Sequence, residues 1–252
     1  MVTTNNALNA FALDEQVILV TGASSGIGRQ IAISCAAAGA TVILSGRNAE
    51  RLQAVLDTLG GAPHRVLAAD LNNEAEVDEL SRAVGKVHGL VHSAGVAALS
   101  PLRMASREHI EQQMQTNVIA PMLLMRHLLA RQAICNGGSV VFISSISAHI
   151  GVRGVGAYSA SKAAVEGLAR SLAIELAPRK VRVNCLAPGF VQTPMLDAMQ
   201  STTGGLESTA ARYPLGIGQP EDVANAAIFF LSTASRWVTG QALVLDGGHT
   251  VE

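Results

Sequence analysis

The chain has 252 residues, of which 49% are apolar and only 15% are charged, and its formal net charge is −1. Because an average globular protein has about 25% charged residues, this balance excludes a basic nucleic-acid-binding surface and a charge-rich disordered chain. Because the chain has few charged residues to cover its surface, we expect part of that surface to be buried against other subunits.

The cysteines and the N-terminal segment bear on the compartment. Cys35, Cys135 and Cys185 are far apart, which predicts reduced thiols and neither a disulfide framework nor a metal site. Residues 1–13 form an N-terminal extension that contains no basic residue and does not resemble a signal peptide. No apolar run approaches the roughly 18 residues of a membrane helix, so we expect a cytoplasmic protein with neither a membrane nor a nucleic-acid partner.

Short apolar runs alternate with helical patterns along the chain. The predicted strands are residues 17–20, 41–45, 65–69, 89–92, 140–144, 181–186 and 242–245. The predicted helices are residues 27–38, 49–59, 74–84, 107–134, 158–176 and 221–231. The strands lack polar alternation, as is typical of a parallel sheet that is covered on both faces. We therefore expect a doubly wound α/β fold with a seven-stranded parallel sheet, formed by residues 1–252 as a single domain.

A glycine-rich turn follows the first predicted strand and opens the first predicted helix. It reads Thr21-Gly22-Ala23-Ser24-Ser25-Gly26-Ile27-Gly28. Small residues at this place allow a close approach of a pyrophosphate, and the helix N-terminus offers N–H donors. Alone, such a turn is weak evidence, but between a strand and a helix it predicts dinucleotide binding. The predicted contacts are Gly22, Ser24, Ser25, Gly26, Ile27 and Gly28.

The spacing G-x-x-x-G-x-G resembles that of the short-chain dehydrogenase/reductase family, in its form of about 250 residues. The resemblance runs from Val17 to Gly248 and implies a single Rossmann domain that binds NADP(H) or NAD(H). The ending, with Gln219-Pro220-Glu221-Asp222 and Asp246-Gly247-Gly248, is similar to that of 3-oxoacyl-acyl-carrier-protein reductases.

The end of the second predicted strand bears on the choice of cofactor. In this family an acidic residue there would bond the ribose 2′-hydroxyl and repel a 2′-phosphate, but the chain has Gly46 and then Arg47. The guanidinium of Arg47 favours NADP(H) over NAD(H), although Arg47 could also be simply solvated beside a helix-capping Asn48. The basic residue that the family has within the glycine turn is replaced by Ser25, which leaves Arg47 as the main cation.

The resemblance implies further cofactor contacts after later strands. In chain order these are Asp70 and Leu71 at the adenine, Ala94 and Gly95 at the adenine ribose, and Pro188, Gly189, Val191 and Thr193 at the nicotinamide end. Asp70 could also cap the next helix. Where the family has two asparagines, this chain has His92-Ser93, and we expect His92 to take over a structural hydrogen bond rather than to act in catalysis.

Three side chains form a candidate catalytic group. Tyr158 and Lys162 are four residues apart on a predicted helix and so share one face, and Ser145 ends the fifth predicted strand. Reduction of a carbonyl needs a hydride from a cofactor and a proton donor at the oxygen. A phenol has a pKa near 10, which a nearby ammonium lowers. A lone Tyr/Lys pair can also be an ordinary amphipathic surface.

The resemblance gives these residues roles. It implies that Tyr158 is the acid/base group, that Lys162 lowers its pKa and holds the nicotinamide ribose, and that Ser145 positions the substrate. Asn117 matches the fourth residue of the family's catalytic group. At this residue the resemblance implies that a helix opens and admits a water in a proton relay to Lys162. Asn117 could instead only mark a kink near Pro121.

The substrate is expected to contact residues 146–157 and a long loop over residues 188–219. The candidate substrate-binding residues are Ser145, Ser147, His149, Arg153 and Phe190. The cations among them could bind an anionic substrate or simply lie at the rim. The resemblance favours a 3-oxoacyl thioester as the carbonyl substrate. The alternatives are a sugar, polyol or steroid alcohol dehydrogenase and a non-catalytic NADP(H)-sensing protein.

Two predicted helices, residues 107–134 and 158–176, have apolar residues on more than one face. Such a helix needs covering by its own sheet and by a neighbouring subunit. The resemblance implies dimers formed through these helices, assembled into a homotetramer or remaining a homodimer.

Overall fold

The computed structural model describes residues 7–203 and 211–251. Seven parallel strands form one sheet in the order β3-β2-β1-β4-β5-β6-β7. They are β1 (Val17–Thr21), β2 (Thr41–Gly46), β3 (Arg65–Ala68), β4 (Val87–His92), β5 (Ile134–Ile143), β6 (Arg182–Pro188) and β7 (Ala242–Leu245). The predicted doubly wound fold is confirmed. Its strand order reverses between β1 and β4, where folds of this kind open a crevice for ligands.

Helices cover both faces of the sheet. They are α1 (Gly26–Ala37), α2 (Ala49–Leu56), α3 (Glu74–Ala83), α4 (Arg107–Met114), α5 (Ala120–Ala130), α6 (Gly156–Leu176), α7 (Pro194–Thr203) and α8 (Pro220–Leu231). Successive residues of β1 point to opposite faces: Leu19 packs in one apolar cluster, and Ile18 and Val20 pack in the other. Because both faces are buried, the strands need no polar alternation.

Side-chain caps fix where several helices begin. The Asn48 side chain accepts a hydrogen bond from the Arg51 N–H at 2.8 Å and so caps α2, as one interpretation of the sequence expects. Asn73 caps α3 in the same way, through the Ala75 N–H at 3.1 Å. Because Asn73 supplies this cap, the alternative that Asp70 caps the helix is wrong.

The predicted helix over residues 107–134 is wrong in two respects. It is interrupted by a π-helical turn at Gln115–Ile119, and it ends at Ala130, so that Ile134 already belongs to β5. Pro121 has no N–H to donate to the carbonyl of Asn117, four residues earlier, and this favours the opening. Gln132 adopts a left-handed conformation, with φ of 51°, and turns the chain into the strand.

The segment over residues 188–219, predicted as an irregular loop, contains α7. Thr193 precedes this helix, and its Oγ1 accepts a hydrogen bond from the Leu196 N–H at 3.4 Å, while Pro194 occupies the first helical position. Residues 204–210 of that prediction, and residues 1–6 of the predicted N-terminal extension, lie outside the described residues. In the described parts of the chain, no helix combines the length and the apolar character that crossing a bilayer requires.

Candidate active site

A cavity of about 770 Å³ opens at the carboxyl ends of the central strands. Every cofactor-binding residue predicted from the sequence lines it, from Gly22 in the first turn to Thr193 after β6. The predicted substrate-facing residues that also line it are Ser145, Ser147, Arg153 and Phe190. The fold thus brings together segments that follow most of the strands, as the carboxyl edge of a parallel sheet does.

The glycine turn after β1 is shaped by close backbone contacts. Gly22 has φ of +66°, and a Cβ there would lie 2.7 Å from the Ala94 backbone nitrogen. A Cβ at Gly28 would overlap the carbonyl oxygen of Gly22. Ser25 precedes α1 without a side-chain cap, so the first N–H groups of the helix have no capping side chain. Open N–H donors beside a side-chain-free turn fit a pyrophosphate.

The end of β2 places Arg47 at the cavity. Arg47 is exposed, lines the cavity and has no hydrogen-bond or ion-pair partner in residues 7–203 and 211–251. A Cβ at Gly46 would meet the Leu52 side chain only at an ordinary 3.7 Å. Packing therefore leaves room for a Cβ at this position and does not by itself require glycine.

Tyr158 and Ser145 meet in the cavity from two different elements. Tyr158 lies in the first turn of α6, and Ser145 caps a 3₁₀ turn at Ile146–Ala148 that follows β5. Burial raises the pKa of the Tyr158 phenol, and the Ser145 side chain opposes this rise. The phenol pKa is therefore above its ordinary value, whereas the sequence led us to expect a lowered one.

Lys162 is held one helical turn beyond Tyr158. Its side chain is buried, its Nζ donates to the Ile143 carbonyl at 2.8 Å, and Nζ lies 5.6 Å from the centre of the Tyr158 ring. Burial lowers the pKa of this ammonium to about 8, which leaves it mostly protonated at neutral pH. A positive charge therefore lies beside the phenol.

Asn117 lies in the π turn between α4 and α5 and does not line the cavity. Its carboxamide binds the backbone of Val96 twice: Oδ1 accepts from the Val96 N–H and Nδ2 donates to the Val96 carbonyl, both at 2.9 Å. Nδ2 also donates to Ser161 Oγ at 2.9 Å. The helix opening that the resemblance implies is therefore present, and Asn117 connects it to α6 and to the segment after β4.

His149 does not lie where the sequence predicts. It is absent from the cavity wall, and its Nε2 hydrogen bonds to the buried carboxylate of Glu166 at 2.9 Å. Its assignment as a substrate-binding residue is corrected on this ground, because the bond holds the imidazole against α6. Glu166 carries no motif signal and was not among the predicted site residues.

Three stacked rings form a wall of the cavity. Phe190 stacks on Tyr213 with 5.8 Å between ring centres, and Tyr213 stacks on His249 at 4.5 Å. The Tyr213 hydroxyl accepts a hydrogen bond from the Phe190 N–H at 3.0 Å. His249 and Arg212 both line the cavity. Neither was among the predicted site residues, and no sequence motif marks them.

Comparison with known proteins places this architecture in a family. A family model described as enoyl-(acyl carrier protein) reductase matches residues 22–250. A solved short-chain type dehydrogenase/reductase from Mycobacterium ulcerans is 36% identical, covers 96% of this chain and 92% of its own, and has a TM-score of 0.88. The chain belongs to the short-chain dehydrogenase/reductase family. It is therefore an oxidoreductase of that family, and the predicted resemblance is confirmed.

Relatives of this dehydrogenase/reductase act on different substrates. A 3-oxoacyl-[acyl-carrier-protein] reductase from Bos taurus is 36% identical over 239 residues, 93% of this chain and 98% of the relative. A galactitol 2-dehydrogenase (L-tagatose-forming) from Cereibacter sphaeroides is 38% identical over 248 residues, 96% and 97% of the two chains. A (2S)-[(R)-hydroxy(phenyl)methyl]succinyl-CoA dehydrogenase subunit from Thauera aromatica is 34% identical over 246 residues, 95% and 98%.

Solved family members carry either nicotinamide cofactor. A protein assigned as an NAD(P)-dependent gluconate 5-dehydrogenase, from Beutenbergia cavernae and with bound NADP, is 37% identical, covers 96% of this chain and 100% of its own, and has a TM-score of 0.87. A 7α-hydroxysteroid dehydrogenase complexed with NADH and 7-oxo glycochenodeoxycholic acid is 32% identical, with coverages of 95% and 96% and a TM-score of 0.86. Membership thus implies a nicotinamide cofactor.

His92 in this dehydrogenase/reductase does not make the structural hydrogen bond that the sequence led us to expect. Its ring is buried and stacks on Phe142, with 4.7 Å between centres and 5° between planes. Among the described residues, neither ring nitrogen has a hydrogen-bond partner. His92 ends β4 directly beside Phe142 of β5, and packing of the two rings replaces the expected bond.

Burial lowers the pKa of His92 to about 3, below the value of about 6.5 for an exposed imidazole. Between these values the unfolded chain binds a proton that the native chain does not, so stability falls as the pH is lowered through this window. His92→Phe keeps an aromatic ring beside Phe142. In this variant the free energy of unfolding should fall less steeply as the pH is lowered, by about 1.4 kcal/mol per pH unit. Urea unfolding at a series of pH values between about 7 and 4 measures both slopes, and parallel curves would contradict the prediction.

Proposed function

We propose that this enzyme transfers a hydride between NADP(H) and a carbonyl or secondary alcohol, with Tyr158 as the acid/base group. The observation that supports this most directly is the group in the cavity. Tyr158 and Ser145 both line the cavity, and the Lys162 ammonium lies 5.6 Å from the Tyr158 ring. A proton donor, a hydrogen-bonding hydroxyl and a buried cation are the groups that stabilise negative charge developing on a carbonyl oxygen.

The cavity fits the cofactor that the family uses. When bound, the nicotinamide would supply or accept the hydride. The turn after β1 would hold the pyrophosphate, Asp70 and Leu71 the adenine, Ala94 and Gly95 the adenine ribose, and residues 188–193 the nicotinamide end. The fit rests on the side-chain-free turn at Gly22 and Gly28, which a single Cβ would obstruct.

In the reduction direction, Tyr158 would donate the proton from its hydroxyl to the substrate oxygen while Ser145 Oγ donates a hydrogen bond to the same oxygen. The raised phenol pKa keeps Tyr158 protonated at neutral pH and therefore ready to act as an acid. The phenolate that remains lies beside the Lys162 ammonium, which stabilises its negative charge.

We further propose that Asn117 and Lys162 belong to a relay that returns a proton to Tyr158 through water. The support is their closeness around one glycine. A Cβ built on Gly95 would lie 3.1 Å from Asn117 Oδ1 and 3.5 Å from Lys162 Nζ. Two polar groups that both lie this close to the same position can share a solvent molecule near it.

Tyr158→Phe tests the acid/base assignment, because it removes the proton donor and keeps the ring. Turnover of a carbonyl substrate should become undetectable, while the dissociation constant for NADPH, measured by fluorescence titration, should change by less than about threefold. Ser159→Ala, at the next residue of α6, is the matched control, since Ser159 does not line the cavity. An active Tyr158→Phe enzyme would refute the assignment.

Arg47 supports a preference for NADP(H) over NAD(H). Its guanidinium lies at the end of β2 without a protein partner among the described residues, and no acidic side chain stands at Gly46 to repel a 2′-phosphate. Among solved relatives, one holds NADP and another holds NADH, so the family itself permits either cofactor.

Arg47→Leu should raise the KM for NADPH by about 10- to 100-fold, since a hydrogen bond to a charged group contributes about 1.5–3 kcal/mol. The KM for NADH should remain nearly unchanged. Steady-state reduction of one carbonyl substrate with each cofactor measures both values. Arg51→Leu is the control, because Arg51 lies on α2 outside the cavity wall. Equal effects on both cofactors would show that Arg47 does not select the 2′-phosphate.

For the substrate we favour a 3-oxoacyl thioester. Arg153 and Arg212 line the cavity and are exposed, so they can meet the phosphate of a thioester carrier. The acyl-carrier-protein reductase and the succinyl-CoA dehydrogenase among the relatives support this substrate class. A sugar, polyol or steroid alcohol is the second candidate, which the galactitol and hydroxysteroid dehydrogenases support. The non-catalytic sensor is not retained, because the chain belongs to an enzyme family.

We also propose that the chain folds as a single domain and works in the cytoplasm. We propose further that it assembles into a homotetramer or a homodimer. Ile119 and Met122 are exposed at the π turn and α5, and Ile174 on α6 is 77% exposed. Trp237 is 94% exposed on another part of the surface. Burial of such large apolar side chains against a second copy stabilises the assembly.

The proposal of a cytoplasmic protein is supported by the cysteines. Their unpaired thiols are compatible with a reducing compartment.

Size-exclusion chromatography followed by light scattering on the eluted protein tests the assembly. We expect a mass of about four, or two, times that of the 26.1-kDa chain. The double substitution Ile119→Glu with Met122→Glu should lower the mass, because it places charges on the proposed interface. A wild-type protein of monomer mass would contradict the proposal.

A further inference from the structure

Glu166 is a buried carboxylate that the proposed chemistry does not use. It lies on α6, four residues beyond Lys162, and is only 6% exposed. Burying a carboxylate is costly unless hydrogen bonds replace the lost water. One of its oxygens, Oε1, accepts two such bonds, from Ser144 Oγ at 2.7 Å and from His149 Nε2 at 2.9 Å.

These two partners flank the segment that carries the candidate substrate-positioning serine. Ser144 directly follows β5, and His149 follows the 3₁₀ turn at Ile146–Ala148. Between them lie Ser145 and Ser147, which line the cavity. A single carboxylate oxygen therefore holds both ends of residues 144–149 against α6.

The same helix carries Tyr158 and Lys162. Tyr158 and Ser145 line the same cavity, so a residue on α6 and one on the segment that Glu166 holds contribute to the same site. Building on the roles proposed above, we propose that Glu166 is a positioning residue, whose carboxylate fixes residues 144–149 on α6 and so keeps Ser145 in place beside Tyr158 in the cavity. A misplacement of about 1 Å in such a group can lower a rate by about 100-fold.

The property required of Glu166 is acceptance of hydrogen bonds at Oε1. A glutamine offers the same oxygen in a side chain of the same size, whereas a leucine offers no acceptor. Glu166→Gln should therefore preserve the arrangement, and Glu166→Leu should release both ends of the segment.

Two measurements compare these variants. In Glu166→Leu, kcat for carbonyl reduction should fall by about 10- to 100-fold, while the dissociation constant for NADPH changes by less than about threefold. Glu166→Gln should restore kcat to within about threefold of wild type. Glu175→Leu is the matched control, since Glu175 is exposed on the same helix.

The second measurement does not require turnover. The chain has two tyrosines, so the ¹³Cζ resonance of Tyr158 can be assigned with Tyr158→Phe. In wild type the Ser145 side chain lowers the phenol pKa. If Glu166→Leu moves Ser145 away from Tyr158, this resonance should titrate at higher pH than in wild type. Glu166→Gln should titrate like wild type.

A pair of serines on β5 and directly after it controls for a purely structural effect. Ser139→Ala and Ser144→Ala each remove a buried hydrogen bond of 2.7 Å, but Ser139 lies in the middle of the strand and donates to the Phe230 carbonyl. Only Ser144→Ala should lower kcat. If Glu166→Leu does not fold, Ser144→Ala combined with His149→Ala removes the same two bonds.

The inference is overturned if Glu166→Leu, or the double variant in its place, keeps wild-type kcat and the wild-type titration of Tyr158. It is overturned equally if Glu166→Gln is as impaired as Glu166→Leu. A wild-type enzyme without turnover on any carbonyl or alcohol would instead contradict the proposed function, and the titration of Tyr158 would still decide the role of Glu166.

Discussion

The geometry of the candidate active site depends on the burial of one ammonium group, that of Lys162. An amine that is 6% exposed loses most of its hydration, and its pKa falls to about 8 as a result. The hydrogen bond to the Ile143 carbonyl, at 2.8 Å, offsets part of this cost. Since Ile143 is the last residue of β5, the bond forms only when α6 is packed on the sheet. Packing of α6 on the sheet is therefore required for this part of the site to form.

The buried polar groups of α6 extend this coupling to other elements. Ser161 accepts from Asn117 in the π turn, Lys162 binds the end of β5, and Glu166 binds the segment after β5. Farther along the helix the buried residues are apolar, as at Leu172. A polar network whose members all have partners is rigid. The amino-terminal half of α6 thus fixes the site, and the carboxyl-terminal half supplies the hydrophobic burial that holds the helix in place.

The sequence predicted those features whose cause is local. Apolar runs gave all seven strands, and four-residue spacing placed Tyr158 and Lys162 on one helix face. The glycine turn was recognisable because close backbone approach excludes a Cβ at Gly22. Features that depend on long-range packing could not be predicted in this way. The partner of His149 lies 17 residues away on another element, and the stacking of Phe190 on Tyr213 and His249 brings together three separate segments.

The phenol pKa shows why charge alone was a poor guide. From the sequence, the ammonium beside Tyr158 led us to expect a lowered value, because only charge was considered. Burial acts on both groups and favours the neutral form of each, so it raises the pKa of the phenol and lowers that of the amine. At neutral pH the result is a protonated phenol beside a mostly protonated amine. This is the state in which a phenol can donate a proton, as the proposed role of Tyr158 in carbonyl reduction requires. Alcohol oxidation needs the phenolate, and burial makes the phenolate more costly to form.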